Sequence, residues 1–376
     1  MLRGIVGVGG TSMENVKKFL VVIALIHLFF WGVMVTIRGM IWNLNLMYDL
    51  VIYQEYIQYY RAGVLPYFDV QIDDYPPMFL WYLGLFTPVE SNILLSLCMG
   101  LVNLFCILLV IYMLYKLTGY NYVYTLFLFS SYLFFSVRYE PIVVFLTVLS
   151  IYVYNKDWRV SAVLAAFAIS FKWFFGFFII ALIMRDFKRG VKYGALAFCV
   201  YVLLNAPVIV YAFDNFIHPF VWHGSRVPLN DGIYNYFLVH LQPLPYAYLF
   251  PGLLIVGMII IYKRELSIMS TYILIVLWFL LVSKVYSPQF NLWIVFFLIM
   301  YPQTRLYTIT LEFLNVLIFP FLYEYVFLVQ YEPIYLHLVL LRHINLLILF
   351  LIIYHCGNKY EQKTGSLGVA SLDGNV

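Results

Sequence analysis

The feature that most constrains the fold is a succession of long apolar segments, which recur from about residue 19 to residue 354. A helix that crosses a bilayer needs roughly 20 apolar residues. The apolar runs are continuous rather than alternating, which favours helices over a membrane β-barrel. Only 11% of the residues are charged, whereas a soluble domain has about 25%. The sequence therefore predicts an all-α, polytopic membrane bundle.

The apolar segments predict about 10–13 transmembrane helices. The predicted spans are 19–41, 91–116, 120–137, 139–154, 159–171, 173–184, 191–213, 246–262, 267–283, 290–301, 306–328 and 333–354. We therefore expect one transmembrane domain over residues 19–354. Residues 1–18 and 355–376 are expected to be disordered and cytoplasmic.

The distribution of Lys and Arg predicts the orientation, because cytoplasmic loops are enriched in these residues. With the N-terminus inside, the basic clusters at 185–192 and 263–264 both fall on the cytoplasmic side. Segments 42–90 and 214–245 then become two large outer loops. We expect the plasma membrane, with the endoplasmic reticulum as the alternative. No basic tract indicates a nucleic-acid partner.

The first outer loop is rich in acids and contains one base, Arg61. Its acids are Asp49, Glu55, Asp69, Asp73 and Asp74. Asp49, Tyr53, Tyr56 and Tyr60 share one face at helical spacing. This pattern predicts a helix that lies in the membrane interface and ends near Gly63.

Several acids and histidines in the outer loops have both a chemical and a structural interpretation. Asp49 could remove a proton from an acceptor hydroxyl, or it could be an acid favoured at a helix N-terminus. Asp69, Asp73 and Asp74 could bind a divalent metal, or they could be solvated loop residues. His218 and His223 could hydrogen-bond a substrate or bind a metal.

Lys172, Arg226 and Lys284 are bases that fall on the predicted outer side, and Arg342 falls within a span. A charge near the bilayer centre costs about 2.5–3.5 kcal/mol on insertion scales. Each base could extend to the headgroups or pair with an acid such as Glu324 or Glu332. Together, Lys172, Arg226 and Lys284 favour a shared anionic ligand, for which phosphate or pyrophosphate is suitable.

Short motifs resemble one family. Asp49–Tyr53, Arg61–Gly63, Pro66–Asp69 and Tyr75–Pro77 are similar to the first outer loop of GT-C integral-membrane glycosyltransferases. The likeness is to the polyprenyl-phosphate-mannose-dependent mannosyltransferases (glycosyltransferase family 87 type). Phe171-Lys172 resembles the lysine motif of that branch, and Ser287-Pro288-Gln289-Phe290 resembles its S-x-Q-[YF] motif.

The resemblance implies an inverting transfer of a sugar, mannose first, from a polyprenyl-phosphate donor to a lipid- or protein-linked glycan acceptor. Asp49 would be the general base, and a cation would stabilise the departing lipid phosphate. The predicted phosphate-binding residues are Lys172, Arg226, Lys284 and Arg61. The predicted substrate-binding residues are Tyr53, Asp73, Asp74, Tyr75, His218, His223 and Gln289.

Neither a metal nor another cofactor is needed for this mechanism, because fixed cations already meet the leaving phosphate diester. The main alternative is a multi-span transporter or lipid flippase, which would also have many helices and buried charges. Such a protein usually has matched broken helices in two related halves, and we find no such halves in the sequence. Two further alternatives are a membrane acyltransferase or O-antigen-type ligase, and a structural subunit without catalysis.

Overall fold

The computed structural model describes residues 13–40, 48–73, 75–118, 122–135, 138–226, 232–234, 246–327 and 332–364. Within these ranges the regular secondary structure is helical, apart from one isolated β-bridge between Pro66 and Val70. The predicted all-α class is therefore confirmed for the part of the chain that the structure describes.

The helices follow each other with short connections. The first part forms α1 (Met13–Met40), α2 (Tyr48–Arg61), α3 (Pro77–Gly84), α4 (Asn92–Thr118), a 3-10 helix (Tyr122–Phe127) and α5 (Phe129–Phe135). The middle part forms α6 (Glu140–Tyr154), α7 (Trp158–Phe171), a 3-10 helix (Trp173–Phe175), α8 (Gly176–Arg185), α9 (Phe187–Tyr211) and α10 (Phe213–Ser225). The last part forms α11 (Tyr246–Lys263), α12 (Ile268–Val282), a 3-10 helix (Pro288–Trp293), α13 (Val295–Leu298), a 3-10 helix (Pro302–Thr304), α14 (Arg305–Phe327) and α15 (Glu332–Thr364).

Four described segments are long and apolar enough to cross a membrane. They are Glu14–Gly32, Asn92–Leu117, Phe187–Tyr211 and Ile334–Gly357. Shorter apolar helices of 10–17 residues accompany them, including α6, α7 and α12. These segments support a helical membrane protein, whereas the larger number of spans stays a prediction.

Two predicted spans are not single helices. The predicted span 120–137 is divided into a 3-10 helix and the short α5, and the predicted span 290–301 into a 3-10 helix and α13. Both regions contain buried polar residues, among them Ser131 and Asn291. Glu312 accepts hydrogen bonds from the backbone N–H of Ser131, in the first turn of α5, and from the side-chain amide of Asn291. The first N–H groups of a helix have no partner within it, so this carboxylate satisfies one of them.

Three helices begin at one end of the bundle with side-chain caps. Asp157 accepts hydrogen bonds from the backbone of Arg159 and Val160 at the start of α7. Asp186 accepts one from Arg189 at the start of α9, and Ser267 caps α12. Asp and Ser are favoured at this position because their oxygens satisfy the unpaired N–H groups of the first turn.

Arg185 joins the two basic clusters at this same end. Its Nη2 donates to the carbonyl of Ile261 at 2.6 Å, and its Nη1 donates to that of Tyr262 at 3.2 Å. These carbonyls belong to the last turn of α11, where a cation is favoured. The clusters 185–192 and 263–264 are therefore on one side, as the sequence predicts. That this side is cytoplasmic stays a prediction.

The loop between α2 and α3 has a defined path. α2 ends in a Schellman motif: Val64 N donates to Tyr59 O, and Gly63, which has φ 75°, donates to Tyr60 O. The predicted helix end near Gly63 is confirmed. Tyr67 then has φ 74°, a left-handed conformation that is rare for a bulky residue. Its hydroxyl donates to the carbonyl of Tyr75, which closes the turn.

A group of buried polar residues, here called the buried polar ring, joins α5, the 284–293 segment, α14 and α15. Its members are Ser130, Ser131, Tyr286, Asn291, Glu312, Asn315 and Arg342. Glu312 accepts hydrogen bonds from Ser131 N at 2.8 Å and from Asn291 Nδ2 at 3.2 Å. Arg342 Nη1 donates to Asn315 Oδ1 at 3.2 Å.

The other contacts close this ring. Tyr286 donates to Asn291, and the guanidinium of Arg342 lies 3.8 Å from the centre of the Tyr286 ring. Asn315 donates to Ser130 and to the carbonyl of Pro288. Amide and aromatic groups thus connect the buried acid Glu312 to the buried base Arg342.

Candidate functional site

Arg226 and Lys284 are brought together at the end of the bundle opposite Arg185. Lys284 follows α12, and its Nζ donates to the carbonyl of Gly224 at 2.6 Å. Arg226 directly follows α10, and its guanidinium lies 4.6 Å from the centre of the Trp222 ring. Partial burial lowers the pKa of Lys284, and the nearby charge of Arg226 lowers it further. Two like charges held this close favour an anionic ligand.

The C-terminal half of α10 connects this cation pair to Lys172. Trp173, the residue after Lys172, stacks on Phe220 with ring centres 4.2 Å apart. The ring of His223 meets Trp173 edge-on at 5.9 Å. Trp173 therefore places the turn after Lys172 beside α10, the helix that ends just before Arg226, although these residues are far apart along the chain.

Lys172 is paired with an acid that the sequence analysis did not single out. Its Nζ lies 2.6 Å from Oε1 of Glu140, and the side chain of Lys172 is 21% exposed while that of Glu140 is 1% exposed. α7 ends at Phe171, so Lys172 has an extended backbone and begins the turn into α8. The predicted role of Lys172 in phosphate binding stays a prediction, and the structure adds that Glu140 lies close enough to neutralise its charge.

Three aromatic rings surround the ammonium of Lys172. The centres of the Tyr139 and Phe290 rings lie 5.1 Å from Nζ, and that of Trp293 lies 5.4 Å away. Phe290 and Trp293 also stack on each other at 4.2 Å. Such cation–π contacts are attractive and stronger where water is excluded. The segment that resembles the S-x-Q-[YF] motif thus contributes to the surroundings of Lys172.

The α2–α3 region, which belongs to the predicted first outer loop, packs on this site through aromatic rings. Tyr53 meets Phe79 and Tyr75 edge-on at 4.9 and 5.6 Å, and Phe79 stacks on Tyr139 at 4.0 Å. Tyr53 has no exposed surface, and Tyr75 is nearly as buried. Substrate contact by Tyr53 and Tyr75 stays a prediction; in the structure these two rings are buried and pack against Phe79, which stacks on Tyr139 beside α6.

Burial also sets the chemical state of Tyr53. It raises the pKa of the phenol well above its ordinary value, and the neighbouring Tyr75 and Glu140 add to the shift. Tyr53 therefore stays protonated and acts as a neutral group. The effect of Glu140 places the first outer loop within electrostatic range of this acid.

The two outer loops are joined by polar contacts. His218 Nε2 lies 2.7 Å from Oδ1 of Asp73, and Asn215 Nδ2 donates to the carbonyl of Tyr67 at 2.7 Å. Both His218 and Asp73 were predicted to bind substrate, and both keep exposed surface. The strained turn at Tyr67 is therefore attached to α10, which also contributes His223 and Arg226 to the site.

The remaining predicted residues have different placements. The backbone of Asp49 lies in the first turn of α2, while its side chain lies outside the described residues, as does all of Asp74. Arg61 Nε donates to the carbonyl of Thr87 at 2.7 Å. The predicted role of Arg61 in phosphate binding stays a prediction. Gln289 is buried in the 3-10 helix that carries Phe290.

The acidic cluster has structural partners. Asp69 accepts a hydrogen bond from Leu65 N at 2.7 Å, and Asp73 contacts His218. Among the described residues, no group of three or more His, Cys, Asp or Glu side chains is arranged to hold a metal ion. Metal dependence therefore stays untested.

Sequence reasoning missed Glu140 and Glu312 as interacting residues. Each is a lone acid within an apolar segment, and such residues are costly unless they have a partner. This signal was available in the sequence. The partners Lys172 and Asn291 lie at distant positions, so only the tertiary structure identifies them.

Comparison with known proteins identified no relative of this chain. No family model matches the chain, and no curated protein or solved structure is significantly similar to it.

Proposed function

We propose that the chain is an inverting GT-C-type membrane glycosyltransferase. It moves a sugar, mannose first, from a polyprenyl-phosphate donor to a glycan or glycolipid acceptor on the non-cytoplasmic face. The observation that carries the proposal is the convergence of residues distant in sequence at one end of the bundle. Arg226 and Lys284 lie together there, and Asp73, His218 and His223 lie on or beside the same helix, α10.

Arg226 and Lys284 are the groups that receive the donor phosphate. In glycosyl transfer from a lipid phosphate, negative charge grows on the leaving phosphate as the bond to the anomeric carbon breaks. Fixed cations at that place stabilise the transition state more than the ground state. Lys284 is held by the carbonyl of Gly224, so its charge is already positioned before the donor binds.

Asp49 is the proposed general base. It lies in the first turn of α2, and this helix packs through Tyr53 on the aromatic residues above Glu140. In an inverting transfer, the base takes the proton of the acceptor hydroxyl while that oxygen attacks the anomeric carbon. A positioned base contributes about 10²–10⁴-fold to such a reaction.

The alternative function is a transporter or lipid flippase. The buried polar ring is the observation that favours it, since ionisable residues inside a membrane bundle often mark a transport path. Both oxygens of Glu312 accept hydrogen bonds from protein groups, however. This arrangement favours a structural role for the ring and leaves glycosyl transfer as the first proposal.

The proposal is tested with the purified protein in lipid nanodiscs. The assay measures release of polyprenyl phosphate from polyprenyl-phosphate mannose, glucose or arabinose, with a total membrane lipid extract as the source of acceptor. We expect Asp49→Asn to lower the rate about 10²–10⁴-fold. The matched control is Glu55→Gln in the same helix, which should retain the rate because Glu55 is exposed.

Two results would count against the proposal. Full activity of Asp49→Asn would end the role of this residue as base. If the wild-type protein transfers no sugar from any of the three donors but moves the donor lipid across a proteoliposome membrane, the chain is a flippase.

A further inference from the structure

The Glu140–Lys172 pair carries no net charge. An anion that approaches the Lys172 ammonium also meets the Glu140 carboxylate, whose Oε1 lies 2.6 Å from Nζ. Repulsion from this carboxylate offsets the attraction of the ammonium. A hydroxyl group has no such conflict, because it accepts a hydrogen bond from an ammonium and donates one to a carboxylate.

Glu140 has an acceptor that the described protein does not use. Its Oε2 is buried and has no hydrogen-bond partner among the described residues. Leaving a buried acceptor unpaired is unfavourable, and more so for a charged group. Among the buried side-chain atoms without a partner in the described part of the chain, Glu140 Oε2 is the one carboxylate oxygen. This oxygen can accept a hydrogen bond from the hydroxyl of a ligand.

Aromatic residues surround the pair and keep water away from it. Tyr139, Phe290 and Trp293 lie within 5.1–5.4 Å of the Lys172 ammonium, and Phe290 and Trp293 also stack on each other. Hydrogen bonds are stronger where the local dielectric is low. A sugar hydroxyl that reaches the carboxylate and the ammonium is therefore bound more strongly here than at an exposed ion pair.

The position of the pair relative to the cation pair is also suitable. Trp173 follows Lys172 and contacts His223, which precedes Arg226 on the same stretch of chain. A lipid-phosphate sugar has its phosphate directly beside the sugar hydroxyls. One such molecule can place its phosphate at Arg226 and Lys284 and its sugar at the neighbouring pair.

We propose that Glu140 and Lys172 form a hydroxyl-binding subsite for the sugar of the substrate, and that the phosphate is bound separately by Arg226 and Lys284. The carboxylate accepts from a sugar hydroxyl, and the ammonium donates to a sugar oxygen. Because Glu140 is covered, the hydroxyl reaches it when the more exposed Lys172 changes its rotamer. The subsite rests on the proposed glycosyl transfer for its place in a reaction, but its test needs no turnover.

The experiment measures equilibrium binding of two kinds of probe to the protein in nanodiscs. The neutral probes are methyl mannoside, methyl glucoside and methyl arabinoside, and the anionic probe is inorganic phosphate. We expect at least one glycoside to bind, and Glu140→Gln and Lys172→Met to weaken it about tenfold each. The affinity of Glu140→Gln for phosphate should stay within about twofold of the wild-type value. The affinity of Lys284→Ala for phosphate should fall about tenfold.

Controls separate binding from folding. Lys172→Met leaves the buried carboxylate of Glu140 unpaired, so the double variant Glu140→Gln/Lys172→Met, which removes both charges, is measured beside it. Glu14→Gln removes an acid from the exposed Glu14–Lys18 pair and is the matched control. We expect the double variant to fold as the wild type does and still bind the glycoside weakly.

Three results would overturn the proposal. The first is that no glycoside binds to a protein that still binds phosphate. The second is that the double variant binds the glycoside as tightly as the wild type, which would make the pair structural only. The third is that Lys172→Met loses affinity for phosphate and keeps its affinity for the glycoside. None of these results decides whether sugar transfer occurs, so they are distinct from a failure of the proposed function.

Discussion

The Glu140–Lys172 pair and the buried polar ring use buried charge in two different ways. Glu140 and Lys172 are in direct contact at 2.6 Å, and Lys172 reaches the surface. In the ring, Glu312 and Arg342 have no exposed surface, and amide groups connect them. One oxygen of Glu140 has no partner among the described residues, whereas both oxygens of Glu312 accept hydrogen bonds.

This difference indicates which charges serve function and which serve architecture. In Glu312 both oxygens already accept hydrogen bonds, and these bonds hold α5, the 284–293 segment and α14 together. An acid with one unused oxygen beside a partly exposed base can exchange partners. The ring therefore fixes the 284–293 segment, and the pair at the end of the bundle is available for binding.

The strongest test of this contrast is to break the buried polar ring. Arg342→Met leaves the buried Oδ1 of Asn315 without this donor and removes the cation from the Tyr286 ring. An unsatisfied buried acceptor costs about 1–3 kcal/mol, and a desolvated cation–π contact contributes about 2 kcal/mol more. Thermal unfolding in detergent should show the largest decrease in melting temperature among the variants compared. A melting temperature equal to that of Glu14→Gln would contradict an architectural role.

The pair at the end of the bundle should show a smaller and more direct coupling. A double-mutant cycle of Glu140→Gln and Lys172→Met should give an interaction energy of about 1–3 kcal/mol, because the two side chains touch and one is partly exposed. The same cycle on Glu312 and Asn291 provides the comparison within the ring. A coupling near zero for Glu140 and Lys172 would mean that the ion pair does not stabilise the fold.

The phosphate affinity of the Arg226–Lys284 cation pair should depend on pH through Lys284. It binds an anion only while protonated, and its pKa is lowered by burial and by Arg226. Phosphate affinity should therefore be present at lower pH and be lost as the pH rises through a value below that of an ordinary lysine. Lys284→Arg should move this loss to higher pH, because a guanidinium stays charged.

The measurement for Lys284 is the dissociation constant of inorganic phosphate as a function of pH. At the pH where wild-type affinity has fallen, we expect the arginine variant to bind about tenfold more tightly. Identical pH profiles for the two proteins would show that Lys284 does not contact the anion.

The smallest expected effect concerns the exposed contact between Asp73 and His218. Surface pairs contribute about 0.2–1 kcal/mol. Asp73→Asn should therefore change the melting temperature little and still retain a polar contact between the outer loops. Tyr67→Ala is the informative companion, because it removes the buried hydroxyl bond to Tyr75 and should destabilise the loop more. Equal effects of the two substitutions would contradict the role of Tyr67 in closing the turn.

Local sequence signals accounted for much of the fold. Asp157 and Ser267 lie at helix starts, Gly63 lies at the end of α2, and the basic clusters lie on one side. Where a predicted span contains polar residues that turn into the core, as at Asn291, the structure has short helical pieces in place of one helix. Hydropathy averages over such residues, so it cannot show which of them have partners.

For the candidate site, the sequence indicated which bases are unusual but not which side chains they contact. Lys172 and Arg342 were recognisable as unusual charges in apolar surroundings, and Glu140 could have been recognised in the same way. Lys172 is paired with Glu140 and Arg342 with Asn315, and each partner lies on another helix. No spacing rule connects residues that are brought together by packing rather than by one helix or turn.

The amino-acid sequence by itself determined an all-helical chain with long apolar segments. It also determined that the basic clusters 185–192 and 263–264 lie at one end of the bundle. Both follow from the sequence because helix periodicity, capping and hydropathy act over a few residues. Only the tertiary structure decided that Arg226 and Lys284 stand together while Lys172 is neutralised by Glu140. The physical reason is that the energy between two charges depends on their distance in space and on the surrounding dielectric. The partner that packs beside an ionised group, not its neighbour in sequence, therefore sets what the group can bind.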